Sequence, residues 1–256
     1  MNQFDFHGKN ALITGGTRGI GRAVAERLLR SGASVYVWGL NGDSVVRAVD
    51  ELSAMVAANY LRGIYGKAVD VRVKAAVVQG VDDALLTLGH VDVLVNAAGV
   101  FGPAKSALAY SLAEWEDVIR TNLTSQFLVC RALVPHMVKR GYGRVVNVAS
   151  VIGRDAVNPL APAYSAAKAG VIRFTQALAR ETAETGVLLN CVAPSAIKTA
   201  FFDSVPQAQL DAMVAKVPMG RIGQVEDVVE LICWLASSGC TYSTGAVFDC
   251  SGGRHE

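Results

Sequence analysis

The chain has 256 residues, 52% of them hydrophobic, and a formal net charge of only +2. That length suits one α/β domain with a large core. The Lys and Arg residues are scattered and form no basic stripe, which excludes a nucleic-acid-binding surface and leaves a small molecule as the expected partner.

In chain order, strand-like runs fall at 10–14, 34–38, 64–69, 91–95, 144–149, 187–192 and 246–250. Between them, apolar residues recur at helical spacing over about 20–31, 43–58, 73–88, 112–140, 162–185 and 225–237. Alternation of β and α predicts a doubly wound fold, a parallel sheet with helices on both faces, which binds ligands beyond the carboxyl ends of its strands. Residues 195–218, with Phe201, Phe202, Leu210, Met213 and Val217 among polar residues, interrupt the alternation and read as a substrate lid. Leu231 to Phe248 carries no charge, but its Ser, Thr and Gly residues break it into a helix end, a loop and a strand start, so no membrane span is expected. The start, Met1 to His7, lacks the charged and apolar regions of a signal peptide, which makes the cytoplasm the expected location. The five cysteines show no metal-ligand spacing and the four histidines are far apart. Free, buried thiols and no metal site are therefore expected.

Thr14-Gly-Gly-Thr-Arg-Gly-Ile-Gly21 lies where the first strand meets the first helix. Such a turn lets backbone approach a pyrophosphate, while the free N–H groups at the helix start attract its charge. The glycines at 15, 16, 19 and 21 depart from the common Gly-x-Gly-x-x-Gly spacing.

Tyr164 and Lys168 are four apart and share one helix face, where an ammonium stabilises a phenolate. A phenol of ordinary pKa near 10 needs that help to act as acid and base. Ser150 closes the fifth strand and projects toward the same cleft, placed to hydrogen-bond a carbonyl oxygen. Asn122, inside the long fourth helix, is a poor mid-helix residue and suggests a local kink or a water-binding role.

Taken together, Thr14-Gly-x-x-x-Gly-Ile-Gly21, Asp70-Val71, Asn96-Ala-Ala-Gly99, Asn122, Ser150, Tyr164-x-x-x-Lys168 and Pro194 through Thr199 resemble the short-chain dehydrogenase/reductase family over nearly the whole chain. The resemblance implies a seven-stranded Rossmann sheet, NAD(P), and interconversion of an alcohol and a ketone by a tetrad of Asn122, Ser150, Tyr164 and Lys168. In it Tyr164 exchanges the proton, Lys168 lowers the tyrosine pKa and holds the ribose, Ser150 orients the carbonyl and Asn122 positions a relay water. Gly15, Thr17, Arg18, Gly19 and Ile20 would bind the cofactor, as would Asp70 and Val71 at the adenine. Asn96, Ala97, Ala98 and Gly99 would line the cleft, and Ile197 and Thr199 would meet the nicotinamide end. Two positions depart from the family pattern: Ala97 replaces its second Asn, and Ser195 follows Pro194 where glycine is usual.

After the second strand, Gly39-Leu40-Asn41 offers no carboxylate to grip an NAD ribose, and Arg18 is placed to pair with a 2′-phosphate, so the sequence leans toward NADP. Parts of the chain resemble branches acting on sugars and sugar acids, with 3-oxoacyl thioester reductases as the alternative and a non-catalytic nucleotide sensor as the remote one. Arg154 and Asn158, after Ser150, and Arg254 near the end are candidates for a substrate carboxylate. Apolar residues on several sides of helices 112–140 and 162–185 predict a homodimer or homotetramer.

Overall fold

The computed structural model describes residues 4–55, 63–199 and 205–255. Seven parallel strands form one sheet in the order β3-β2-β1-β4-β5-β6-β7: β1 (Asn10–Thr14), β2 (Ser34–Gly39), β3 (Ile64–Ala68), β4 (Val93–Asn96), β5 (Gly143–Val148), β6 (Val187–Pro194) and β7 (Val247–Cys250). The central strands are buried on both faces, and their residues alternate between two cores as the pleat requires. Ala11, Ile13, Val35, Val37, Val93 and Val95 point to one core, shared with helices α1 (Gly19–Arg30), α2 (Gly42–Met55) and α8 (Val225–Ala236). Leu12, Tyr36, Trp38 and Leu94 point to the other, shared with α3 (Lys74–Leu88) and α5 (Ser125–Arg140). Strand order reverses between β1 and β4, whose ends Thr14 and Asn96 are in register.

Most elements lie within a few residues of their expected positions. The expected end of α2 at 58 falls outside the described residues. The long fourth helix is divided: α4 (Leu112–Ile119) runs into a π-helical turn at Arg120–Thr124, and α5 follows. The cause is Asn122, whose Nδ2 donates to the carbonyl of Val118, four residues back, at 2.9 Å and so competes with the backbone ladder. Helix α6 (Pro162–Glu181) stops before the expected 185; beyond it the Thr182 hydroxyl shares its one proton between the carbonyls of Leu178 at 3.1 Å and Val187 at 3.3 Å.

A buried polar chain fixes β4, β5 and α6 relative to one another. Asn96 Nδ2 donates to Asn147 Oδ1 at 2.9 Å, and Asn147 Nδ2 to Thr175 Oγ1 at 2.8 Å. Thr175 Oγ1 in turn donates to the Val171 carbonyl at 2.8 Å and accepts from the Cys191 thiol at 3.1 Å. All four side chains are buried. In the expected lid segment, residues 200–204, with Phe201 and Phe202, lie outside the described residues; beyond them α7 (Gln207–Val214) has no buried residue, while Val217 is buried. Among the described residues no helix is long and apolar enough to cross a membrane.

Asn147→Ala strands a buried donor on Asn96 and removes a donor from Thr175, so stability should fall by about 2–3 kcal/mol. Urea unfolding with an unchanged slope is the check; a loss below about 0.5 kcal/mol would deny the chain any structural weight.

Candidate active site

The glycine-rich turn is shaped by close approach. Gly15 has φ of 66°, and a Cβ there would lie 2.8 Å from the backbone of Ala98; a Cβ on Gly21 would lie 2.4 Å from the Gly15 carbonyl oxygen. Thr14 closes the other side, its Oγ1 accepting from the Ala98 N–H at 3.2 Å. The turn opens on a cleft of about 520 Å³ at the carboxyl ends of β1, β2, β3 and β4. Gly15, Thr17, Arg18, Gly19, Ile20, Asp70, Val71, Ala97, Ala98, Gly99 and Thr199 all line it. Asn96 and Ile197 do not: both are buried, Asn96 in the polar chain and Ile197 in a β-bridge with Gly223.

Several lining residues escaped the sequence reading, among them Ser44, Arg72, Asp117 and Thr121. Arg72 forks onto Asp70 through Nε at 2.9 Å and Nη2 at 2.8 Å, and reaches Asp117 on α4 through Nη1 at 2.8 Å. These hydrogen bonds hold the Asp70 carboxyl below its ordinary range. The i, i+2 spacing of Asp70 and Arg72 was visible in the sequence; the partner on α4 was not.

Ser150, Tyr164 and Lys168 converge beyond the ends of β5 and β6. Ser150 Oγ accepts from the Ile152 N–H at 3.2 Å and donates to the Pro194 carbonyl at 3.5 Å. Pro162 starts α6 and sets Tyr164 and Lys168 one turn apart, with Lys168 Nζ 5.5 Å from the centre of the Tyr164 ring. Lys168 is 4% exposed and donates to the Val148 carbonyl at 2.7 Å. Burial pushes its ammonium down to about 8. Burial also raises the Tyr164 phenol above its ordinary value, offset in part by a hydrogen bond with Ser150. At the phenol desolvation prevails, and the lowering influence is the Ser150 hydrogen bond.

Asn122 joins α4 to the loop after β4. Its Oδ1 accepts from the Val100 N–H at 3.2 Å, and its Nδ2 donates to the carbonyls of Val100 at 2.8 Å and Val118 at 2.9 Å. The side chain is committed to the loop after β4 and to α4, and it is 0% exposed. Gly99 joins the two halves of the site: a Cβ there would lie 2.7 Å from Asn122 Oδ1 and 3.7 Å from Lys168 Nζ.

Of the three substrate candidates, Arg154 and Asn158 hold partners within the chain. Arg154 pairs with Asp155 through Nε and with Asp249 through Nη2 at 2.8 Å, and Nη2 lies 3.0 Å from His255 Nδ1. A substrate carboxylate would have to displace two carboxylates already present. Asn158 Oδ1 accepts from the Leu160 N–H at 3.0 Å, the work of a turn residue. The Arg254 guanidinium is pushed below the usual arginine range by burial.

The family model described as short chain dehydrogenase matches residues 9–210. The chain belongs to that family. It is 40% identical over 249 residues to a 2-dehydro-3-deoxy-L-rhamnonate dehydrogenase (NAD(+)) of a Sphingomonas species, covering 97% of this chain and 96% of the relative. It is 36% identical over 255 residues to the 3-oxoacyl-acyl-carrier-protein reductase of Escherichia coli, covering 98% and 99%. A crystal structure of a provisionally named gluconate dehydrogenase from Agrobacterium tumefaciens superposes with a TM-score of 0.91 at 30% identity, covering 100% of this chain and 99% of the other. As a short-chain dehydrogenase the protein is an NAD(P)-dependent oxidoreductase acting on CH–OH groups.

Because the Ser150 hydrogen bond lowers the phenol, Ser150→Ala should move the rising limb of the dehydrogenase's alcohol-oxidation pH profile to higher pH. Its plateau rate should fall about 10²–10³-fold, the usual loss of one oxyanion donor. Initial rates across pH provide the check, and a limb that does not move would separate the hydroxyl from the phenol.

Proposed function

We propose that this short-chain dehydrogenase is one Rossmann domain that oxidises a secondary alcohol of a sugar acid, using Ser150, Tyr164 and Lys168 as its reacting groups. The observation that carries the catalytic reading is their convergence beside Gly99, where the nucleotide cleft ends. The dinucleotide fits the cleft because its glycine turn leaves no room for side chains where a pyrophosphate would rest. When bound, the cofactor supplies hydride transfer. Ser150 Oγ orients the substrate oxygen, and the Tyr164 hydroxyl gives or takes the proton on that oxygen. Lys168 holds the ribose and, as a cation, favours the phenolate. Asn122 acts as a positioning residue, holding the loop after β4 through Val100.

The sugar-acid reading is supported by the relative at 40% identity and by the gluconate dehydrogenase structure. The Escherichia coli relative favours 3-oxoacyl thioesters as the second reading. Arg154 serves in this proposal as a latch between the loop after Ser150 and β7 rather than as the carboxylate partner. Helix α7, without a buried residue, suits the role of a lid over the substrate.

The cofactor proposed is NADP. Trp38, Gly39, Leu40, Asn41 and Ser44 line the cleft at the end of β2 without a carboxylate among them, and Arg18 is exposed across from them. The N-terminus of α2, at Gly42, adds amide donors that favour a phosphate. The Sphingomonas relative is named for NAD(+), so the alternative is specific.

The proposed assembly is a homotetramer, or the homodimer within it, in the cytoplasm. Leu112, Trp115 and Phe127 on α4 and α5 are exposed, and Phe127 meets Phe174 of α6 edge-on at 6.0 Å. Trp234 meets Phe248 beside the edge strand β7 at 5.5 Å. A second copy would cover these faces.

Steady-state rates should show oxidation of sugar acids well above acetoacetyl thioester reduction, with Tyr164→Phe as the blank; the reverse order would favour the thioester reading. Arg18→Ala should raise the Michaelis constant for NADPH about tenfold or more while leaving NADH nearly unchanged. Equal effects would return Arg18 to the solvent and leave the relative's NAD use as the better guide. Phe127→Glu should shift the sedimentation coefficient to a smaller species with the fold intact by circular dichroism. An unchanged coefficient would move the contact elsewhere.

A further inference from the structure

Phe101 is a large apolar side chain that the fold leaves 37% exposed and the catalytic scheme does not use. Its ring lies 5.1 Å from the Tyr164 ring, tilted by 39°. The loop that carries it is held on every side. Asn122 clasps both backbone groups of Val100. Gly102 has φ of 79°, and a Cβ there would lie 2.4 Å from Val118 Cγ2, so only glycine fits between the loop and α4. The Tyr110 hydroxyl donates to the Pro103 carbonyl at 2.6 Å, and the Lys105 N–H donates to the Leu160 carbonyl at 3.0 Å. This last bond ties the loop after β4 to the loop after Ser150. Val100 and Leu160, both exposed, extend the apolar surface.

A ring fixed in this way costs little further entropy when a ligand covers it. We infer that Phe101 is a specificity-determining residue. Its ring packs against the substrate carbon next to the one that reacts, and selects a carbon bearing only hydrogen, a methylene or methyl, over one bearing a hydroxyl. A hydroxyl pressed onto the ring would lose water without gaining a partner. A methylene there gains the contact, and one such difference in an apolar pocket discriminates about 10- to 200-fold. The inference rests on the sugar-acid reading and narrows it to deoxy sugar acids.

The test compares kcat/KM for hexonates and their deoxy counterparts, differing by one hydroxyl beside the oxidised carbon. Measurements use the wild-type protein, Phe101→Ala and Phe101→Leu. The deoxy substrate should be preferred about tenfold or more by the wild type. That ratio should fall to within about threefold in Phe101→Ala and be largely kept in Phe101→Leu, where an apolar group remains. A merely structural role would lower both rates together and leave the ratio alone, which would overturn the inference, as would a wild type without preference. If no sugar acid is turned over, the sugar-acid reading fails by itself. The same ratio is then read from reduction of 5-hydroxy-4-oxopentanoate against 3,5-dihydroxy-4-oxopentanoate, in which the other neighbouring carbon bears a hydroxyl in both. A ratio near one in the wild type, or no turnover of either ketone, sinks the role of Phe101.

Discussion

The three hydrogen bonds of the Asn122 side chain hold the two halves of the site together. One of them competes for the carbonyl of Val118 beside the π-helical turn at Arg120–Thr124. The other two seize both backbone groups of Val100, the first residue past the cofactor loop. A helix defect thereby becomes an anchor for a strand-end loop. Gly99 and Phe101 flank that anchor, with Gly99 facing Lys168 and the Phe101 ring facing Tyr164.

Electrostatics at the reacting groups follows from burial more than from charge pairing. Lys168 and Tyr164 are neighbours on one helix face, yet desolvation shifts each toward its neutral form. Among the neighbours, a hydroxyl and a carbonyl are the groups in contact: Ser150 with the phenol, and the Val148 carbonyl with the ammonium. A bound dinucleotide and substrate would change that balance by bringing their own charges into the pocket.

The sequence made the sheet, the glycine turn and the Ser150, Tyr164 and Lys168 grouping legible, since each depends on local spacing: apolar runs of strand length, glycines at a strand-to-helix turn, and an i, i+4 pair. It also marked Asn122 as a misfit inside a helix, which the π-helical turn explains. What spacing does not carry is the identity of partners far along the chain. Arg154 looked like an available cation because Asp249 lies 95 residues away. Arg72 drew no notice because its second partner is on another helix. Phe101 drew no notice either, for its contact is a ring 63 positions later.

The pairing of Arg154 with Asp249, with His255 within 3.6 Å of the same carboxylate, ties the loop beside the reacting serine to the last strand and the tail after it. Residues at the end of the chain thus act on the mouth of the site without entering it. Trimming the segment after Cys250, or crowding it with a fused affinity tag, would loosen the Arg154 loop from a distance. Activity measured on a form altered after Cys250 would report the latch as much as the chemistry.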